Sequence, residues 1–253
     1  MRARTIAAVG IAAYLVFAVA TIPARFATQR IAVPGTLEFS DARGTLWNGS
    51  ARANVAAMLP IETLRWRFLP SRLVFGRLAF AVDATTRGIE AHGRVERGLG
   101  ELEARDFRAR ADAAALAPVV PLAAAWQPQG ALTATAPAVA WDGRGLRGSA
   151  RLEWRDAALA ASDVRPLGSY RIEARAEGGP AKITLATLDG PLRLAGTGSF
   201  APPASLAFSG EARAQDTSAN ALEPLLNLLG PRRADGARAL EWRYGPAAVP
   251  SRP

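Results

Sequence analysis

The only imidazole in this chain is His92, so a histidine-centred metal site or a serine–histidine relay would have to be built around that one ring. Cysteine is absent, which excludes disulfides, thiolate zinc sites and thiol nucleophiles. A chain without free thiols also suits an oxidising compartment. His92 stands beside Gly93 in a polar, turn-like stretch with no partner motif, and is expected to be solvated rather than catalytic. Glu101 and Glu103 are two apart, which on a strand puts both carboxylates on one face, as ordinary solvated residues stand. The members of a glycosidase-like pair need not be close in sequence, but nothing in the carboxylate pattern calls for one. Gly143-Arg144-Gly145-Leu146-Arg147-Gly148 has the glycine spacing of a dinucleotide-binding turn; it lacks a following helix and is read as a hairpin turn. Asn48-Gly49-Ser50 has the form of a glycosylation acceptor and is read as a tight turn. No catalytic residue, metal ligand or cofactor is expected.

The elements that carry these residues read mainly as strands. Leu64, Trp66 and Phe68 alternate with Arg65 and Arg67; Leu78, Phe80 and Val82 with Ala79, Ala81 and Asp83; Leu152 and Trp154 with Arg151, Glu153 and Arg155; Tyr170 and Ile172 with Arg171 and Glu173. Period-two alternation gives each strand one apolar and one solvated face, the mark of antiparallel pairing. Breaks such as Asp142-Gly143, Gly178-Gly179-Pro180 and Asp189-Gly190-Pro191 supply turns, and short strand–turn units suggest a meander. The net charge is +9. The arginines share their faces with Glu and Asp, while the aromatics lie opposite. A groove for single-stranded nucleic acid needs aromatics and arginines on one face, so no nucleic-acid partner is expected. Trp47 and Trp141 are expected to anchor the sheet core rather than to bind a ligand.

The N-terminus has a different pattern. Arg2 and Arg4 precede an uncharged run from Thr5 to Ala24, and Arg25 follows. A run of about 20 residues matches the hydrocarbon core of a bilayer. Ile6, Val9, Ile11, Leu15, Val16, Phe17, Val19 and Ile22 supply its apolar surface. Two readings stand: an uncleaved anchor, which its length favours, or a signal peptide cut after Ala18-Val19-Ala20. Both export the rest of the chain, and the leading arginines favour a cytoplasmic start.

An internal repeat is also expected. Gly49-Ser50-Ala51-Arg52 recurs as Gly148-Ser149-Ala150-Arg151, and Ala115-Leu116-Ala117-Pro118 as Ala221-Leu222-Glu223-Pro224. Each Ala-Leu-x-Pro segment predicts a short helix, with Asp112 and Ser218 as N-cap candidates and Gly230 as a stop. Pro118 and Pro224 fit either the first turn of a helix or a break inside a longer one. The expected organisation is a membrane anchor or signal peptide at 1–25, a first β repeat at 26–125, a second at 126–243 with a final strand, and a flexible tail at 244–253. The fold class is mainly β: a transmembrane helix followed by curled antiparallel sheet.

Gly44-Thr45-Leu46-Trp47-Asn48-Gly49-Ser50-Ala51, then Trp66-Arg67-Phe68-Leu69-Pro70 with Leu73, and finally Leu225-Leu226-Asn227-Leu228-Leu229-Gly230 with Asp235-Gly236 form an ordered set after a short anchor. Together with Trp141 and Gly148 this set resembles the protein N family of the type II (general) secretion pathway and, more distantly, the AsmA-like proteins. The first resemblance implies a non-enzymatic component of the bacterial inner membrane, single-pass, with its bulk in the periplasm and other secretion subunits as partners. The second implies a lipid-compatible groove and a phospholipid ligand. A one-sided sheet must cover its apolar face by some means. The strand with Leu78, Phe80 and Val82 and the one with Tyr170 and Ile172 are expected to line one interior, closed by Leu225, Leu226, Leu228 and Leu229.

Overall fold

The computed structural model describes residues 14, 17–31, 37–55, 59–117, 126–201 and 205–244. The chain divides into two compact units, Met1–Arg87 and Gly88–Pro253. The fold is mainly β, and every strand pairing within each unit is antiparallel between chain neighbours. Alternating side chains and short turn-rich breaks produce this meander directly.

In the first unit, helix α1 (Ala24–Ile31) precedes β1 (Leu37–Gly44), β2 (Asn48–Val55), β3 (Leu59–Phe68) and β4 (Leu78–Thr86). The register sets Gly49 opposite Trp66, and Trp66 opposite Val82. Phe68 faces Phe80 in the same manner, so the apolar positions form cross-strand rows. The ring of Phe68 lies 4.8 Å from that of Trp47 and 5.6 Å from that of Phe80.

In the second unit run β5 (Ile89–Arg97), β6 (Leu102–Asp112), β7 (Gln129–Trp141), β8 (Leu146–Ala158), β9 (Gly168–Glu177), β10 (Ala181–Asp189), β11 (Leu192–Ala201), β12 (Ser205–Ala214), helix α2 (Ala219–Leu229) and β13 (Arg238–Tyr244). One apolar row crosses it through Ala134, Leu152, Ile172 and Leu185 to Gly196, Gly210 and Leu240. The main core lies at one end of this face. There Leu222, Leu225 and Leu226 of α2 pack with Leu167, Leu192, Phe208, Ala212 and Leu240. Helical spacing turns these leucines inward and Leu228 outward, where it is 64% exposed.

Local chemistry changed several expectations. Asn48 and Gly49 begin β2 instead of forming a turn; the reversal is made by Gly44 to Trp47, with Thr45 donating its backbone N–H to the Asn48 carbonyl at 2.9 Å. His92 is exposed on β5, not in a turn, where the register slips between His92 and Arg94. Glu103 is buried rather than solvated: it pairs with Arg105 at 2.8 Å and lies opposite the buried Glu96. Trp141 does not anchor a core, standing 48% exposed at the end of β7. Asp112 does cap its helical turn, Ala113–Leu116, accepting from the Ala114 N–H at 3.1 Å. Ser218 makes no such side-chain bond, and Pro224 falls inside α2. The segment from Pro118 to Leu122 lies outside the described residues.

Among the described residues no helix is long and apolar enough to cross a membrane. Ile6, Val9, Ile11, Leu15 and Val16 of the expected anchor lie outside those residues, as do residues 245–253.

Candidate interaction surfaces

The turn that carries the first motif grips the N-terminal segment. The Trp47 Nε1–H donates to the Val19 carbonyl at 2.7 Å, and the Leu46 N–H donates to the Ile22 carbonyl at 2.8 Å. Thr45 forms an isolated bridge with Pro23. Trp66 holds the turn from beneath, its Nε1–H donating to the Leu46 carbonyl at 3.0 Å. Position 49 must be glycine because a Cβ would meet the Trp66 ring at 2.5 Å; Gly148, in β8, meets the same constraint from the Ala138 carbonyl at 2.2 Å. The N-terminal side chains at this grip are open: Tyr14, Phe17, Val19 and Phe26 are all exposed.

A second surface is the outer edge of β13. Ala239 donates its N–H outward to the Pro231 carbonyl at 3.0 Å, so residues 239, 241 and 243 direct their backbone polar groups away from β12. The segment before β13 covers the start of this edge, with Arg232 bridging Arg238 and the Arg233 N–H donating to the Ala237 carbonyl at 2.8 Å. Pro231 has no N–H to extend that pairing. Gly230 approaches so closely that a Cβ would stand 1.9 Å from the Ala239 carbonyl oxygen; this contact, not a left-handed cap, is why α2 ends on glycine. Past Ala239 the edge carries Glu241 and Arg243, both exposed, and Trp242, which is 49% exposed and stacks on Phe208 with ring centroids 5.6 Å apart. Arg238 ties the strand to α2, donating to Glu223 at 2.6 Å and to Asn227 at 2.7 Å from a buried position.

The two faces of the second unit differ in character. On the polar face, Arg151 pairs with Glu173 and Arg171 with Glu153, both at 2.9 Å and directly opposite across β8 and β9. Side-chain hydrogen bonds from Arg155 and Arg171 lower the Glu153 pKa. At the β7–β8 turn the backbone N–H groups of Gly145 and Arg144 hold the Asp142 carboxylate, with Arg147 beside it, and lower its pKa to about 2. This cage explains the Gly143–Gly148 motif as hairpin chemistry. On the apolar face, burial raises the Tyr170 pKa, and its hydroxyl donates to the Leu192 carbonyl at 3.0 Å. The core at α2 leaves Ile172 outside it, at the exposed end of its range.

Of the residues expected to line one interior, Leu78, Phe80 and Val82 belong to the first unit, and Tyr170 and Ile172 to the second. Tyr170 is buried, while Leu78 and Ile172 are exposed. Leu225 and Leu226 are buried in the α2 core, and Leu229 packs against it. Alternation did not reveal Arg238 or the β13 edge. The proline at 231, which has no N–H with which to extend the covering pairing, was the available signal.

The second unit is thus an antiparallel meander with a short helix over one end of its apolar face, a β scaffold that presents an edge and two unlike faces. The chain belongs to the family described as type II secretion system (T2SS), protein N, which matches it over residues 35–241. No curated protein and no solved structure is similar enough to match it.

Proposed function

We propose that this chain is a non-enzymatic accessory component of the type II secretion machine, held in the bacterial inner membrane by residues 5–24, with its β units in the periplasm. The family match supports a secretion component. The anchor rests on the uncharged run from Thr5 to Ala24: the part up to Ala20, where the described helix ends, enters the hydrocarbon, and Thr21 to Ala24 lie at its edge beside the β1–β2 turn. Its described part is helical at Phe17–Ala20 and presents apolar side chains outward, as lipid contact requires.

The observation that carries the assembly role is the β13 edge. Its outward backbone groups at Glu241 and Arg243 lie beyond the covering segment, flanking an exposed tryptophan. An extended segment of another secretion subunit docks there by strand addition, gaining main-chain hydrogen bonds and a seat for a side chain against Trp242. Proline substitution tests this directly, because it removes one N–H at a chosen side of the strand. Glu241→Pro deletes an outward N–H and should leave the β12–β13 ladder intact. Trp242→Pro deletes an inward one and should destabilise the unit. Glu241→Pro is therefore expected to keep cooperative unfolding yet lose co-purification of secretion subunits and secretion itself. Normal co-purification by a folded Glu241→Pro protein would refute docking at this edge.

A second reading has one specific observation behind it. The α2 core covers only part of the apolar face, and the row through Leu152 and Ile172 continues beyond it. A phospholipid acyl chain laid along that row would make the unit an AsmA-like lipid groove. Mass spectrometry of gently purified protein separates the readings: bound phospholipid favours the groove, whereas lipid-free protein that retains secretion subunits favours assembly. The internal repeat expected from the sequence would fit either reading; the Ala113–Leu116 turn follows β6 and α2 follows β12.

A further inference from the structure

The connection between β3 and β4 presents an apolar tip. A 3-10 turn, Pro70–Phe75, leads into Gly76 in the left-handed region at φ +67°, with the Gly76 N–H donating to the Leu73 carbonyl. None of its residues is buried. Leu73, Val74 and Phe75 are 53%, 84% and 73% exposed, three consecutive large apolar side chains facing outward. Turns are ordinarily polar, so such a cluster marks a contact surface. Arg72 and Arg77 bracket it.

The register locates this tip within its unit. Asn48 pairs with Arg67, and Phe68 with Phe80. The β1–β2 turn and the β3–β4 connection therefore leave the sheet at the same end. That end holds the N-terminal segment, through Trp47 on Val19 and Leu46 on Ile22. The link is short: the Phe68 N–H donates to the Trp47 carbonyl at 2.6 Å, and the 3-10 turn begins two residues later. The same end carries Phe26, exposed, with the Arg25 guanidinium 5.4 Å from its ring centre. Tryptophan, phenylalanine and arginine gathered where an apolar helix emerges are the side chains that sit at a membrane–water interface.

We infer that the Leu73-Val74-Phe75 tip is a second membrane contact, inserted into the headgroup region of the bilayer that residues 5–24 cross, with Arg72 and Arg77 at the level of anionic headgroups. The inference rests on the anchored reading above. Two points of attachment, the gripped N-terminal segment and the tip, hold the first unit in a set orientation on the membrane, which a single flexible tether would not.

The absence of native cysteine makes the test clean. Full-length Val74→Cys, Thr85→Cys and Ala13→Cys proteins carry an environment-sensitive fluorophore in vesicles of phosphatidylethanolamine and phosphatidylglycerol, with and without lipids bearing a nitroxide, near the headgroup for positions 74 and 85 and deep in the acyl chain for position 13. Val74 is largely solvent-exposed, so its substitution leaves folding intact; Thr85 lies at the far end of β4 and serves as the solvent reference. The expected result is blue-shifted emission and at least twofold nitroxide quenching at position 74, and neither at position 85. If position 13 is quenched while position 74 behaves like position 85, the tip contact is overturned and the anchor survives. If neither 13 nor 74 is quenched, both fail. A blue shift at 74 without lipid quenching places the tip against protein and also overturns the inference.

Discussion

Tyr170 shows how one side chain records its surroundings. Its ring is buried 6.0 Å from Trp154, and its hydroxyl donates to the Leu192 carbonyl of β11. Burial disfavours the phenolate, so the pKa is raised above its ordinary value near 10. For an acid with a raised folded pKa, the folded state holds its proton longer than the unfolded chain. Stability is therefore intact below about pH 10 and falls as pH rises above it. Tyrosinate absorbance at 295 nm should show the share of Tyr170 appearing only together with loss of the folded near-ultraviolet circular dichroism. Ionisation of this residue in a still-folded protein would contradict its burial. Asp142 titrates in the opposite sense: its lowered pKa leaves the turn contribution intact at neutral pH, and loses it only as pH falls toward about 2.

At the scale of elements, α2 decides whether the second unit has a core. Its buried leucines at 222, 225 and 226 meet strands β11 to β13, and Arg238 secures the same helix through Glu223 and Asn227. Leu226→Asp puts a carboxylate into this contact, and an unpaired buried charge costs several kcal/mol, comparable to the stability of a whole domain. Cooperative unfolding of that unit should be lost. Leu228→Asp, on the outward side of the same helix, should shift stability by only about 0.5 kcal/mol. Urea unfolding of the two variants distinguishes a packed helix from a surface one; equal effects would mean that α2 does not seat on its leucines as described.

For the molecule as a whole, the proposed topology has a simple consequence. With residues 5–24 in the inner membrane and both β units outside the cytoplasm, protease added to spheroplasts should digest the chain down to its N-terminal segment. The same protease should leave the protein untouched in intact cells. Protection of the β units in spheroplasts would reverse the topology. Release of the intact chain into the periplasmic fraction, starting at Thr21, would show instead that the N-terminal segment is a cleaved signal peptide.

The strands were legible because alternation is a local property: Leu64-Arg65-Trp66-Arg67-Phe68 can satisfy one dry and one wet face only as a strand, and glycine and proline marked the breaks. Family membership was legible for a related reason, since the turn from Gly44 to Ser50 is built from side chains that serve the turn itself. Tertiary structure decided what depends on distant partners. Asn48-Gly49 became the start of a strand because Trp66 needed the space over Gly49. Glu103 was drawn into a buried site with Arg105 opposite Glu96, although its spacing from Glu101 looked like a solvated face. Leu228 turned outward because a helix of eleven residues shows only one stripe to the sheet. Which stretch of the β13 edge has no strand beside it among the described residues depended on where the segment after Gly230 stopped pairing, and no periodicity within β13 encodes that. Local pattern specifies which backbone hydrogen bonds a segment can make; which of them remain open at an edge is fixed only when the neighbouring chain has taken its place.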